Sequence, residues 1–283
     1  MTSPEVQPSG FETPSPLDGE GMGVGRLIEF AKGHRQQATP GVEVLVTPRY
    51  QLALVPDFPI PGPNSASWIR CEPDEVDDVI SEARATFTAR NLPLMWVLDP
   101  DTQPSDFATR LAAHGFHPDP RGEEVSVMVL PAGATLEAPV VPGLEMHDGL
   151  ADLAAFRAAD AVAAEAFMSA QIGDDLDLVA TQERRRVNGV ASGNLRLLLA
   201  TVHGEPAGAG SVSLFPPRGA TINGGSVRPA FRGQGVYRAL VAARLEVARR
   251  EGAAGLVVWA GSMSKPILSR LGFQPVSWRR FYR

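Results

Sequence analysis

Between Glu72 and Arg90 apolar residues return at helical spacing, with Val76, Ile80, Ala83 and Phe87 sharing one face, and that predicts a helix. Pro73 and a run of acidic residues fill its first turn, and Arg84 and Arg90 sit near its end, the charge order a helix dipole favours. Around it the pattern predicts a helix over 21–37, strands over Val42–Thr47 and Tyr50–Val55, and a Pro/Gly/Asn loop over 56–64. A strand over Leu92–Leu98, a helix from Ser105 to Ala113 and a strand over Glu124–Leu130 follow. Residues 1–20, rich in Ser, Pro, Gly and Glu, read as a disordered tail, and residues 131–142 as a linker.

The second half opens with an Ala-rich helical stretch, Leu150–Phe167, then an acidic loop and a further helix ending at Arg184-Arg185-Arg186. There the period changes from helical to alternating. Leu195–Val202 and Pro206–Phe215, joined through His203-Gly204-Glu205, predict a hairpin, and Ala220–Val227 a third strand. A helix over about Gly235–Glu251 places Val236, Leu240, Ala243 and Val247 on one face. Leu256–Ala260 is a continuous apolar run, as expected of a strand covered on both faces. A short helix from Lys265 to Gly272 and a closing strand over Phe273–Tyr282 complete the series.

Between the third strand and the long helix lies Arg232-Gly233-Gln234-Gly235. The first N–H groups of a helix lack intrahelical acceptors and the dipole is positive there, so this turn is suited to hold an anion. Glycines let successive N–H groups share one concavity. An ordinary strand-to-helix turn has the same composition, so the surrounding elements decide.

Charge adds to this picture. The net charge of −6 argues against general nucleic-acid binding, but it is unevenly spread. Residues 1–140 carry 9 basic and 20 acidic side chains, and the rest 17 basic and 12 acidic. The half with the glycine turn is the one that attracts a polyanion. At 283 residues the chain holds one or two domains. Cys71 is the only cysteine, so no internal disulfide forms; with no thiolate-stabilising neighbour it reads as a packed thiol in a reducing compartment. No leader-like N-terminus or apolar run of ~20 residues is present, and a cytoplasmic protein without a membrane segment is expected. His114 and His117 flank a turn without clustered Cys or His, so no metal is expected.

The second half resembles a GNAT acyltransferase domain, of the superfamily that moves acyl groups from coenzyme A. The resemblance rests on the element order, on Val-x-Pro-x-Phe-Arg-Gly-Gln-Gly beginning at Val227, and on Leu271-Gly272-Phe273 after the short helix. It covers residues 143–283 and implies coenzyme A binding by Ser226, Val227, Arg228, Arg232, Gly233, Gln234, Gly235, Val236, Tyr237 and Arg238. Residues 21–130 resemble a second, degenerate GNAT-like domain without such a turn. The implied fold is α+β, two GNAT-like domains, each a mixed, mainly antiparallel central sheet flanked by helices. The implied activity is acetyl transfer from acetyl-CoA to an amine of a small molecule or peptide, by direct attack in a ternary complex. The sequence sets no oligomeric state.

Two positions depart from the family pattern. Tyr237 stands where the signature ends in a small residue, and Leu268 where many members carry the tyrosine that protonates the departing thiolate. No carboxylate lies in Ala220-Thr221-Ile222-Asn223, where a glutamate commonly drains the amine's proton. The resemblance therefore assigns no catalytic residue; Ser262, Ser264, Tyr237 and Glu165 are candidate substitutes, each with a structural reading beside it. A non-enzymatic acyl-CoA-binding module stays open as the alternative. Asp174, Asp175 and Asp177 suit a cationic acceptor or simply form a solvated loop.

Overall fold

The structure, a computed structural model, describes residues 16–120, 124–167 and 176–283. The first half runs α1 (Pro16–Gly33), β1 (Glu43–Val46), β2 (Gln51–Leu54), β3 (Ser65–Ser67), α2 (Val76–Ala89), β4 (Met95–Leu98), α3 (Phe107–Ala113) and β5 (Glu124–Pro131). The second runs β6 (Leu144–Asp148), α4 (Leu153–Phe167), α5 (Leu176–Ala191), β7 (Leu195–Val202), β8 (Glu205–Phe215), β9 (Gly219–Val227), α6 (Val236–Arg250), β10 (Gly255–Ala260), α7 (Lys265–Arg270) and β11 (Gln274–Tyr282). All the strands join one 11-stranded sheet, in the order β1-β2-β3-β4-β11-β5-β10-β9-β8-β7-β6. It is mixed and mainly antiparallel: only β3–β4 and β9–β10 pair in parallel.

The two halves exchange strands. β5, from the first half, lies between β10 and β11, while β11, the last strand of the chain, lies between β4 and β5. The connection at 131–142 is held along the second half: Arg249 donates to the carbonyls of Ala132 and Ala134, and Ala132 N–H donates to Ala254 O at 2.9 Å.

The predicted face of α2 is the buried one, with Val76, Val79, Ile80, Ala83 and Phe87 packed over Leu52, Leu54, Trp96 and Leu98. Burying a side chain of this kind contributes about 1.5–3 kcal/mol. β10 is sandwiched as expected. Val257 packs with Leu27, Phe30 and Ala31 of α1 on one face, and Leu256 with Leu245 of α6 and Leu268 of α7 on the other. The β7–β8 hairpin turns at His203 and Gly204, both at positive φ (51° and 80°), the geometry a two-residue hairpin loop requires. Cys71 is buried, and burial pushes its thiol pKa up, which disfavours the thiolate.

Several elements differ from the sequence expectation. α1 spans 16–33 rather than 21–37, because its apolar stripe ends at Ala31 and His34 leaves the helix line to stack between Phe30 and Phe215. Residues 1–15 of the expected tail lie outside the described residues. β3 and β6 were not expected: Ser65-Ala66-Ser67 is short and small, and β6 is an edge strand with mostly exposed positions. α5 continues past Arg186 to Ala191, where Gly189 packs under the side chains of Leu150 and Leu195.

His34 supplies a test of this packing. Its ring lies 4.8 Å from Phe30 and 4.6 Å from Phe215, and burial, with Arg218 and Arg279 nearby, lowers its pKa to about 4. The folded state therefore keeps His34 neutral where the unfolded chain, with a pKa near 6.5, takes up a proton. Stability is complete above the unfolded value and is lost as pH falls from there toward about 4, by up to about 3 kcal/mol. Denaturant unfolding at neutral and acidic pH is expected to show that slope in the wild type and a flatter one in His34→Gln.

Candidate active site

β9 and β10 pair at only two positions, Ala220↔Leu256 and Thr221↔Val257. Beyond them β9 follows β8 as far as Val227, while β10 follows β5 as far as Ala260. The two strands part, and a wedge opens between 223–227 and 258–260. At its mouth a 3-10 turn, Pro229–Phe231, carries the chain into the glycine loop and then into α6.

The loop is built to present donors. Gly233 and Gly235 take φ of +78° and +93°, and Gly235 is the N-cap of α6, its carbonyl accepting from Ala239 N–H at 3.0 Å. The N–H groups from Gly233 to Arg238 meet no acceptor among the described residues. A Cβ at Gly233 would meet nothing within 4 Å, so the concavity is open on that side. Arg232 is tied back by Nε to Val227 O at 3.2 Å, and Gln234 Nε2 to Ala230 O at 2.9 Å, which fixes the loop's shape. Arg232 and Arg238 are exposed and have no carboxylate partner among the described residues. Free N–H groups, a positive helix end and two guanidiniums are the features that suit a phosphate-bearing anion.

The remaining residues expected at this site fall into two places. Ser226 and Val227 are buried in β9, leading into the loop, with Ser226 Oγ 3.5 Å from Ala209 O. Arg228 turns the other way: its Nη1 donates to Pro206 O at 3.2 Å and its Nε lies 2.8 Å from Glu165 Oε2, an ion-pair contact without hydrogen-bond alignment. Val236 is buried under the loop, against Leu240 and Val227. Tyr237, the bulky departure from the signature, points inward, so close that a Cβ at Gly225 would lie 3.1 Å from its Cε2.

Among the candidate substitutes for the missing acid and base, Glu165 is engaged by Arg228, and Ser264 is the N-cap of α7 with Oγ 3.4 Å from Gly261 O. Leu268 is fully buried in the core under α6. Asp174 and Asp175 lie outside the described residues, and Asp177 stands in the first turn of α5. Arg244, which the sequence reading passed over, is 1% exposed beneath the wedge. Its position, one helical turn after Leu240, already marked it as facing the sheet.

No group of three or more metal-ligating side chains occurs among the described residues, and no helix there is long and apolar enough to cross a membrane.

Residues 165–273 match the sequence profile of the Acetyltransferase (GNAT) family. The curated proteins contain no match to the chain. Among solved structures, the fold is similar to a GCN5-related N-acetyltransferase from Kribbella flavida, at 16% identity and a TM-score of 0.58, covering 93% of this chain and 94% of that one. It is similar to a tandem GNAT protein from the clavulanic acid biosynthesis pathway, at 17% identity and 0.58, covering 94% of each chain. A GCN5-related N-acetyltransferase from Sphaerobacter thermophilus aligns at 18% identity and 0.56, over 95% of this chain and 93% of that one. At these identities the structures speak to the fold alone. The chain thus has a tandem GNAT fold, and the segment that matches the GNAT acetyltransferase profile spans the glycine loop, α6 and β10 of its second half.

Proposed function

We propose that the protein is an acetyl-CoA-dependent N-acetyltransferase, with residues 143–283 as the acyl-CoA-binding unit and an amine of a small molecule or peptide as acceptor. One observation carries the reading: the unpaired N–H groups of 233–238, flanked by Arg232 and Arg238, open beside the β9–β10 wedge. The N–H groups and guanidiniums hold the pyrophosphate, and the unpaired edge of β9 past Thr221 offers backbone groups to the chain that links it to the thioester. When bound, the thioester supplies the activated acyl carbon. The protein aligns that carbon with the acceptor nitrogen, and positioning of this kind supplies several kcal/mol of the barrier reduction.

The test is calorimetry of acetyl-CoA with the intact chain, followed by thiol release across a panel of amines. Binding in the micromolar range, about −8 kcal/mol, that is lost in Arg232→Ala is the expected result. Absence of binding by the intact chain sinks the reading. Binding without turnover on any amine reduces the protein to an acyl-CoA-binding module.

A further inference from the structure

Beneath the wedge, on the α6 side of the sheet, lie two polar side chains that the cofactor loop does not use. One is the buried Arg244. Its Nε donates to Leu240 O at 3.1 Å, and its Nη1 lies 3.5 Å from Ser211 O. Nη2 is buried with no hydrogen-bond partner, and no carboxylate among the described residues pairs with this guanidinium. A cation buried this way is costly unless something compensates it.

The other is Tyr237. It is half-buried, and its hydroxyl has no hydrogen-bond partner among the described residues. Its ring packs against two core clusters, one that includes Val212, Val241 and Leu268 and one that includes Val227 and Leu240.

Both side chains converge on one interruption in the sheet. Ala209 pairs with Ser226 and Ser211 with Asn223, so Gly224 and Gly225 bulge opposite Gly210 alone. A Cβ at Gly225 would lie 3.1 Å from both Tyr237 Cε2 and Arg244 Nη2, and one at Gly210 would lie 2.9 Å from Arg244 Nη1. The strands give up side chains there to make room for a guanidinium and a phenol.

We propose that Tyr237 is the proton donor of the acyl transfer and that Arg244 is its positioning residue, holding the phenol against the β9 bulge and stabilising its ionised form. This rests on the acyl-transfer reading above. Tyr237 passes its hydroxyl proton to the thioester sulfur as the C–S bond breaks and the acceptor nitrogen forms the C–N bond; the proton shed by that nitrogen restores the phenol. The assignment supplies a proton donor where Leu268 offers none, from a tyrosine packed against the same core cluster in which Leu268 is buried. Burial keeps the phenol protonated by raising its pKa, while Arg244, the charged group that bears on it, pulls the pKa back down.

Two measurements test the pair. With Cζ-labelled tyrosine, NMR follows the phenol titrations of the three tyrosines in the free protein. Arg244→Met is expected to move the Tyr237 titration up by about one pH unit or more, whereas those of Tyr50 and Tyr282, which belong to the core cluster under α2, stay where they are. In the second measurement, Tyr237→Phe is expected to slow acyl transfer by about 10²–10⁴-fold while its acetyl-CoA affinity stays within about twofold of wild type. A Tyr237→Phe enzyme with wild-type turnover overturns the donor role, and a titration unmoved by Arg244→Met overturns the positioning role. If the wild type binds no acetyl-CoA, the acyl-transfer reading fails and the donor role with it; intact binding beside an unaffected variant sinks this assignment alone.

Discussion

Gly235→Asp is expected to weaken acetyl-CoA binding by about 100-fold or more, equivalent to about 2.7 kcal/mol, while leaving the protein folded. Three effects act together at this position. The backbone sits at φ +93°, where an L residue costs roughly 1–2 kcal/mol. A Cβ would lie 3.1 Å from Pro139 Cγ and 3.2 Å from Val141 Cγ2, so the connection between the halves must give way or the loop must shift. The third effect is charge: a carboxylate at the N-cap occupies the helix end that the pyrophosphate needs and repels it. The strain falls on one residue at the helix end, and α6 keeps its buried face of Val236, Leu240 and Val241. Calorimetry beside thermal unfolding separates the two, with affinity falling while Tm stays within a few degrees. Gly235→Ala carries the strain and the contact without the charge, and its smaller loss measures the electrostatic share. Affinity close to wild type in the aspartate variant would place the phosphates elsewhere.

The loop was legible because its chemistry is local. Arg232, Gly233 and Gly235 between an alternating segment and a helical one state the backbone geometry directly, and the His203-Gly204 hairpin and the apolar run at Leu256–Ala260 were readable for the same reason. What escaped was non-local. Nothing in the periodicity of β5 or β11 says that each inserts beside a strand of the other half, since an alternating apolar pattern specifies a face and not a neighbour. β6 escaped because it is an edge strand whose exposed positions carry Glu145, His147 and Asp148, a polar signature that reads as loop. Arg244 was hidden by its charge. A rule that puts arginine on the solvent side overrides its spacing, and only the glycines opposite it, Gly210 and Gly225, show that a space was kept for the guanidinium. Tyr237 was visible as a departure from the signature, but its inward direction follows from the same two strands and not from its own neighbours.

The exchange of strands sets the other large expected effect: residues 143–283 expressed alone will not fold cooperatively, although they contain the entire GNAT-profile match. In that fragment β10 loses its ladder to β5, which runs from Gly255↔Pro131 to Ala260↔Ser126. β11 loses both of its neighbours, β4 and β5, together with the bridge from Tyr282 to Pro118. At a net 0.5–1.5 kcal/mol per hydrogen bond, ten or so lost ladder bonds come to about 5–15 kcal/mol, the whole stability of an ordinary domain. Apolar surface is uncovered as well, because Val257 faces α1 and β5 in the intact chain. Such a fragment should bind an environment-sensitive apolar dye and unfold without a sharp transition. Co-expression of residues 1–142 with residues 143–283 is the informative control, since the exchanged strands can pair between two chains as they do within one. The pair is expected to co-purify and to recover both cooperative unfolding and acetyl-CoA binding. A lone 143–283 fragment that melts sharply and binds acetyl-CoA like the intact chain would show instead that the exchanged strands decorate a domain already complete without them.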